Sequence, residues 1–147
     1  MDMIVKIIGI TIAIGAFAIL IETPRKYIWY TALVGSVGGM SFLLGMAWEI
    51  DETIVYFISA LLITVVSNVI ARICKAPVTV FLIAGILPSV PGAGVYRIAY
   101  NMMIGEVDLS LFYFGETLKF AGAISLAIFI GEVIFRTFVR EYIGKHR

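Results

Sequence analysis

Pro88-Ser89-Val90-Pro91-Gly92-Ala93-Gly94-Val95-Tyr96 closes an apolar run that begins at Val78. Two prolines and two glycines within seven residues cannot continue an α-helix, because each proline lacks a backbone donor and its ring clashes with the preceding turn. In hydrocarbon an unpaired backbone N–H or C=O costs several kcal/mol. Broken backbone at membrane depth is tolerated where protein buries it or water reaches it. What the break means depends on whether its surroundings are membrane.

Composition says that they are. Hydrophobic residues fill 61% of 147 positions, charged residues 14%, and mean hydropathy is +1.05. A soluble domain has no interior large enough for that apolar surface, whereas a polytopic membrane protein presents it to lipid. The net charge of +1 comes with no basic stripe, so the bilayer and not a nucleic acid is the expected partner. One cysteine, Cys74, leaves no internal disulfide to form, and the one histidine, His146, lies beside the carboxyl terminus. No metal site and no cofactor is expected.

A helix needs about 20 apolar residues to cross roughly 30 Å of hydrocarbon. That length predicts spans at about 3–21, 28–48, 53–73 and 117–138. The first run has a signal peptide's length, and Ala16-Phe17-Ala18 mimics a cleavage site. That triplet lies inside the apolar run, however, and Arg25 and Lys26 follow the run instead of preceding it, so it reads as a retained helix. Pro77 suits the first turn of a further helix, which reaches Leu87 and is too short to cross alone. The chain resumes through Ala93–Ile104, so residues 78–104 read as one discontinuous span. Glu106, Asp108, Phe112, Tyr113 and Phe114 read as a polar connection with an interfacial aromatic belt. The expected fold is a single all-α polytopic membrane domain over 1–147, with about five transmembrane helices, the fourth broken at Pro-x-x-Pro-Gly.

Basic residues set the orientation. Arg25 and Lys26 follow span one, Arg72 and Lys75 follow span three, and Arg136, Arg140, Lys145 and Arg147 form the tail. The connection after span two carries Glu49, Asp51 and Glu52 and no cation. The positive-inside rule therefore places the amino terminus outside and the carboxyl terminus in the cytoplasm, against the minor conflict of Lys6. A re-entrant hairpin at 78–104 would put the basic tail outside, which the same rule disfavours.

Small residues recur four apart at Gly35 and Gly39, at Ser41 and Gly45, and at Ala123, Ala127 and Gly131. This spacing lets helix backbones approach closely. Packing within one subunit is the plainer reading and an intersubunit surface the other. Span three carries Ala60, Thr64, Ser67, Asn68 and Ala71 along one face, with Asn68 bridging helices or touching a solute. Charges at depth are costly, roughly 2.5–3.5 kcal/mol at a helix centre on insertion scales. Glu116 and Lys119 are spaced to pair and are candidates for ion coupling, although interfacial anchoring explains them too. Glu132 and Arg136 read as an interfacial pair. Arg97, with Tyr96, Tyr100 and Asn101, supplies donors suited to a carboxylate, against the plainer alternative of snorkelling to the interface. Transporters aim the dipoles of broken helices at a solute near the midplane. Pro88, Pro91, Gly92, Tyr96, Arg97 and Asn101, faced by Asn68, outline such a pathway for a small molecule. No nucleophile–base pair, phosphate loop or paired carboxylate cluster can be assembled, so enzymatic chemistry has no visible support.

Lys75-Ala76-Pro77, the apolar run to Leu87 and the block Pro88-x-x-Pro91-Gly92-x-x-x-Tyr96 resemble the carboxyl-terminal half of the threonine/serine exporter family. The resemblance covers nearly the whole chain, and its specific part is residues 72–105. It implies a five-helix unit in a bacterial-type inner membrane, exporting threonine and serine coupled to the proton gradient. It also implies a hetero-oligomer with an amino-terminal-half subunit that has five spans and a longer soluble region; a homo-oligomer is the alternative. Some split members are linked to dicarboxylate export, which keeps a succinate-like solute in view. A membrane subunit that only stabilises its partner is a third reading. Relatives often carry an acidic residue near the position of Asn68. The amide here shifts suspicion for proton coupling to Glu116 or to the partner.

Overall fold

The computed structural model describes the backbone of residues 2–144 and the side chains of residues 4–137. Among these residues there are six α-helices and no strand: α1 (Asp2–Leu20), α2 (Ile28–Ala47), α3 (Glu52–Ile73), α4 (Thr79–Gly85), α5 (Gly92–Met103) and α6 (Val107–Gly144). Short 3-10 turns lie at Arg25–Tyr27 and Leu87–Ser89. The side chains of Arg140, Lys145, His146 and Arg147 in the basic tail lie outside the described residues.

Local chemistry explains where the helices begin and end. Asp51 caps α3 by accepting the Thr53 N–H at 2.9 Å, and the Thr53 side chain is the main cause holding its carboxyl below the usual aspartate range. Four helices end in one way. The chain turns left-handed at Glu22 (φ 57°), Glu49 (φ 55°), Lys75 (φ 49°) and Gly105 (φ 86°). The next amide then reaches back over five residues, from Thr23 to Ala18, Ile50 to Gly45, Ala76 to Ala71 and Glu106 to Asn101. These are Schellman closures, which satisfy carbonyls that a helix end would otherwise strand.

Glycines set the helix contacts. A Cβ on Gly35 would strike Ile14, and one on Gly39 would lie 2.8 Å from Ile10, so α1 and α2 pack antiparallel at backbone distance. Thr11 and Ser36 hydroxyls join them at 2.6 Å. Gly38 meets Ile63 and Gly45 meets Val55, which pairs α2 with α3, again antiparallel. Against α3 lies α6, with Tyr56 stacked on Phe120 at 4.7 Å. Farther along, Ala60 packs with Ala127, Gly131 meets Thr64, and the Arg72 guanidinium rests 5.0 Å over Phe135. Both numberings rise together, so α3 and α6 run parallel. The chain must therefore return from the Ile73 end to the Glu52 end in between, and α4, the break and α5 make that return. The two helices on either side of the break bend by 54°. The buried core lies where α2, α3 and α4 meet, at Val34, Ile63, Ala71 and Phe81.

Three helical stretches, Arg25–Ala47, Glu52–Ile73 and Val107–Thr137, are long and apolar enough to cross a bilayer. The bent pair makes a fourth if counted as one span, and Ile4–Leu20 is a shorter apolar helix. At opposite ends of α2, Trp29 and Trp48 are 79% and 75% exposed. Nineteen residues apart, they are separated by about 28 Å of helix, the spacing expected of residues at the two membrane interfaces. The cations of the described interhelical turns, Arg25, Lys26 and Lys75, lie at one end of the bundle. Glu49, Asp51 and Glu106 lie at the other, and Glu22 is the exception.

One expectation needs correction. Residues 107–116, read from sequence as connection, are the first turns of α6. After Gly105 no proline or adjacent glycine interrupts the chain, Asp108 suits the positive end of a helix, and Ser110 donates to the Ile98 carbonyl at 2.9 Å. Polar composition was mistaken there for irregular backbone.

Candidate functional site

The site grows out of the break. Pro88 brings no N–H for the Ala84 carbonyl, and the Ser89 N–H turns instead to Ile86 at 2.9 Å. The Val90 N–H reaches Leu87, and the Gly92 N–H closes on Val90 at 2.7 Å around Pro91 (φ −75°, ψ 57°), an inverse γ-turn. Ser89 is fully buried, its hydroxyl 2.9 Å from that of Ser59, which donates to the Gly38 carbonyl at 2.8 Å. Ser59 has one hydroxyl proton and spends it on Gly38, so Ser89 must be the donor between the two serines. The break is thus tied to α2 and α3 at their middles. Neither serine figures among the sequence candidates. The signal was a hydroxyl between two prolines, where local backbone offers it few partners.

Beyond the break, α5 packs against α6 and against no other helix to a comparable extent. Gly94 faces Thr117 so closely that a Cβ would overlap the threonine hydroxyl. That hydroxyl is buried without a partner. Thr11, Thr31, Thr64 and Thr137 instead each donate to the carbonyl four residues back.

Between this hairpin and the first turns of α3 lies a cleft of about 260 Å³. Glu52 and Tyr56 line it from α3, Pro91, Gly94 and Arg97 from the break and α5, and Tyr113, Glu116, Thr117 and Phe120 from α6. Tyr56 is held between Phe42 at 5.0 Å and Phe120 at 4.7 Å. The Arg97 guanidinium lies 5.3 Å from the centre of the Tyr113 ring. Glu116 pairs with Lys119 at 2.8 Å.

Of the sequence candidates, Pro91, Arg97 and Glu116 meet in this cleft. Pro88 is half-buried and Gly92 exposed beside it. Tyr96 is 67% exposed and stacks on Tyr100 at 6.0 Å, outside the cleft lining. Asn101 is buried and donates to the Arg97 carbonyl at 2.7 Å, so it braces α5. Asn68 does not face this group: its amide donates to Thr64 at 2.9 Å, about 18 Å along α3 from Tyr56. Asn68 is buried with Ala60, Thr64, Ser67 and Ala71 on one face of α3, but its height on the helix separates it from α5. Lys119 also borders a separate apolar groove with Ile54, Phe57 and Leu126. Ala123 and Ala127, like Gly131, lie buried on α6. Glu52 and Tyr56 were missed because they come from a helix that precedes the break by some thirty residues. Among the described residues no group of three or more His, Cys, Asp or Glu could hold a metal ion.

Apolar helices of membrane-crossing length, a bent pair with its break tied to the bundle, and a charged cleft beside the bend define a multi-pass helical membrane protein with a solute-sized opening. Residues 6–134 match the family described as threonine/serine exporter, ThrE, and the chain belongs to that family. Its role is accordingly membrane transport. No solved structure matches the chain.

Proposed function

We propose that the chain is one half of a split secondary exporter of threonine and serine, working with a second membrane subunit in a bacterial-type inner membrane. The observation that carries this reading is the cleft, where Pro91 of the break lies beside Arg97, Glu116 and Glu52. Transporters place solute sites at such interruptions, where backbone groups can serve a ligand. In this reading the chain crosses five times, amino terminus outside and carboxyl terminus in the cytoplasm. Parallel α3 and α6 support a crossing at α4–α5 over a re-entrant loop. The clustering of turn cations at one end supports the orientation. At 19 residues, α1 is about 28 Å long, close to the hydrocarbon thickness.

The test is efflux of labelled threonine and succinate from preloaded cells carrying this chain, its partner half, or both. Pro91→Ala, matched for expression, is the control. Threonine efflux that needs both chains and falls with Pro91→Ala is the expected result. Succinate efflux alone would replace the solute, and a stable complex without flux of either would leave a stabilising subunit.

A further inference from the structure

We propose that the cleft holds its solute as a zwitterion, with the α-carboxylate on the Arg97 guanidinium and the α-ammonium on the Glu52 carboxylate; this assignment rests on the exporter reading. Three side chains of charged type line the cleft: Glu52, Arg97 and Glu116. Lys119 occupies Glu116 at 2.8 Å, and among the described residues neither Arg97 nor Glu52 is in an ion pair. One cation and one anion therefore remain available in one opening.

Their surroundings suit those roles. The Arg97 guanidinium carbon lies over the Tyr113 ring, and among the described residues no carboxylate pairs with the guanidinium, so its planar N–H fork is able to grip a carboxylate through two parallel hydrogen bonds. Asn101 holds the Arg97 carbonyl and so fixes the turn that carries the side chain. On the other wall, Asp51 is engaged by the Thr53 amide as the helix cap, leaving Glu52 as the unengaged carboxylate of that turn. Tyr56 and Phe120 provide an apolar surface for the rest of a small solute. The cleft's 260 Å³ is below the roughly 300–1,000 Å³ of drug-sized sites.

Complementary charge then decides between solute classes. A zwitterion sets each charge against its opposite. A dicarboxylate sets its second carboxylate against Glu52, and an amine without a carboxylate meets Arg97. Glu52 thus becomes a specificity-determining residue, selecting for an α-amino group.

The experiment measures ligand-induced stabilisation of the purified full-length chain, titrated with L-threonine, L-threonine methyl ester, 3-hydroxybutyrate and succinate. Stabilisation by a ligand that prefers the folded state reports its affinity. In the unaltered chain, threonine is expected to bind about tenfold or more tighter than either analogue that lacks one charge, the size of one charge-assisted hydrogen bond. Arg97→Gln weakens threonine by a similar factor and does not weaken the methyl ester; Glu52→Gln does the same with 3-hydroxybutyrate as the ligand that is not weakened. Equal weakening of all ligands by a variant, or succinate binding as tightly as threonine, overturns the assignment. The ligand series in the unaltered chain decides the matter even if a variant fails to fold. Threonine efflux without this charge pattern removes the zwitterion site and leaves the exporter standing, whereas loss of both efflux and threonine binding removes both.

Discussion

Replacing Ser89 and Ser59 by alanine, singly and together, tests how the break is held. Ser89 donates to Ser59, and Ser59 donates to Gly38, all in a fully buried setting. Ser89→Ala removes one neutral hydrogen bond, and Ser59 keeps its own acceptor. The expected cost is about 1 kcal/mol, within the usual 0.5–1.5 for such a bond. Ser59→Ala also strands the Ser89 hydroxyl, so its cost should approach about 2 kcal/mol, in the range for a buried unsatisfied group. Interhelical polar pairs in membranes couple by about 0.6 kcal/mol on average and at most about 1.7, so the double variant should cost less than the sum by that amount. The assay is equilibrium unfolding in mixed micelles, followed by circular dichroism. Ser89→Ala costing as much as Ser59→Ala, or costs that add within about 0.3 kcal/mol, would refute the assigned direction of the relay.

Three further outcomes are expected. Thr117→Val replaces an unpartnered buried hydroxyl by a methyl of the same shape, so unfolding in micelles should show stability unchanged or raised by about 1 kcal/mol; a comparable loss would reveal a partner for that hydroxyl. Asp51 has a folded pKa lowered from 3.8. Its contribution is therefore present above the unfolded value and is lost as pH falls through the folded one, so Asp51→Asn should flatten the decline of the unfolding midpoint below about pH 4. Cys74, half-exposed at the end that bears Arg25, Lys26 and Lys75, should react with an impermeant thiol reagent only from the cytoplasmic side. Labelling from outside intact cells would reverse the proposed orientation.

Sequence and structure agree wherever local chemistry dominates. Pro88 and Pro91 announce the break because no neighbour can restore a missing N–H, and apolar length alone locates α2 and α3 within a residue or two. Glu22, Glu49 and Lys75 carry left-handed turns that glycine would normally mark, so hydropathy and not turn chemistry located those ends. The start of α6 was misread because Glu106, Asp108 and the aromatics look interfacial, and an interfacial segment can be helical. The cleft was half legible. Pro91, Arg97 and Glu116 have functional character wherever they stand, but Glu52 reads as a helix-start acid until the parallel packing of α3 and α6 brings it to Arg97. Asn68 shows the converse, since a polar residue on a buried face says nothing about its height along the helix.

At 38 residues, α6 is about 57 Å long, nearly twice the roughly 30 Å of hydrocarbon a bilayer offers. That length is enough for it to act as a lever. At one end it carries α5 and one wall of the cleft, and at the other it runs past Phe135, where Arg72 rests on it. A tilt of about 5° around its midpoint would displace each end by about 2.5 Å, using the helix rise that sets its length. Widening the cleft at one membrane surface would then shift the far end of the same rod at the opposite surface, with no intermediate moving part.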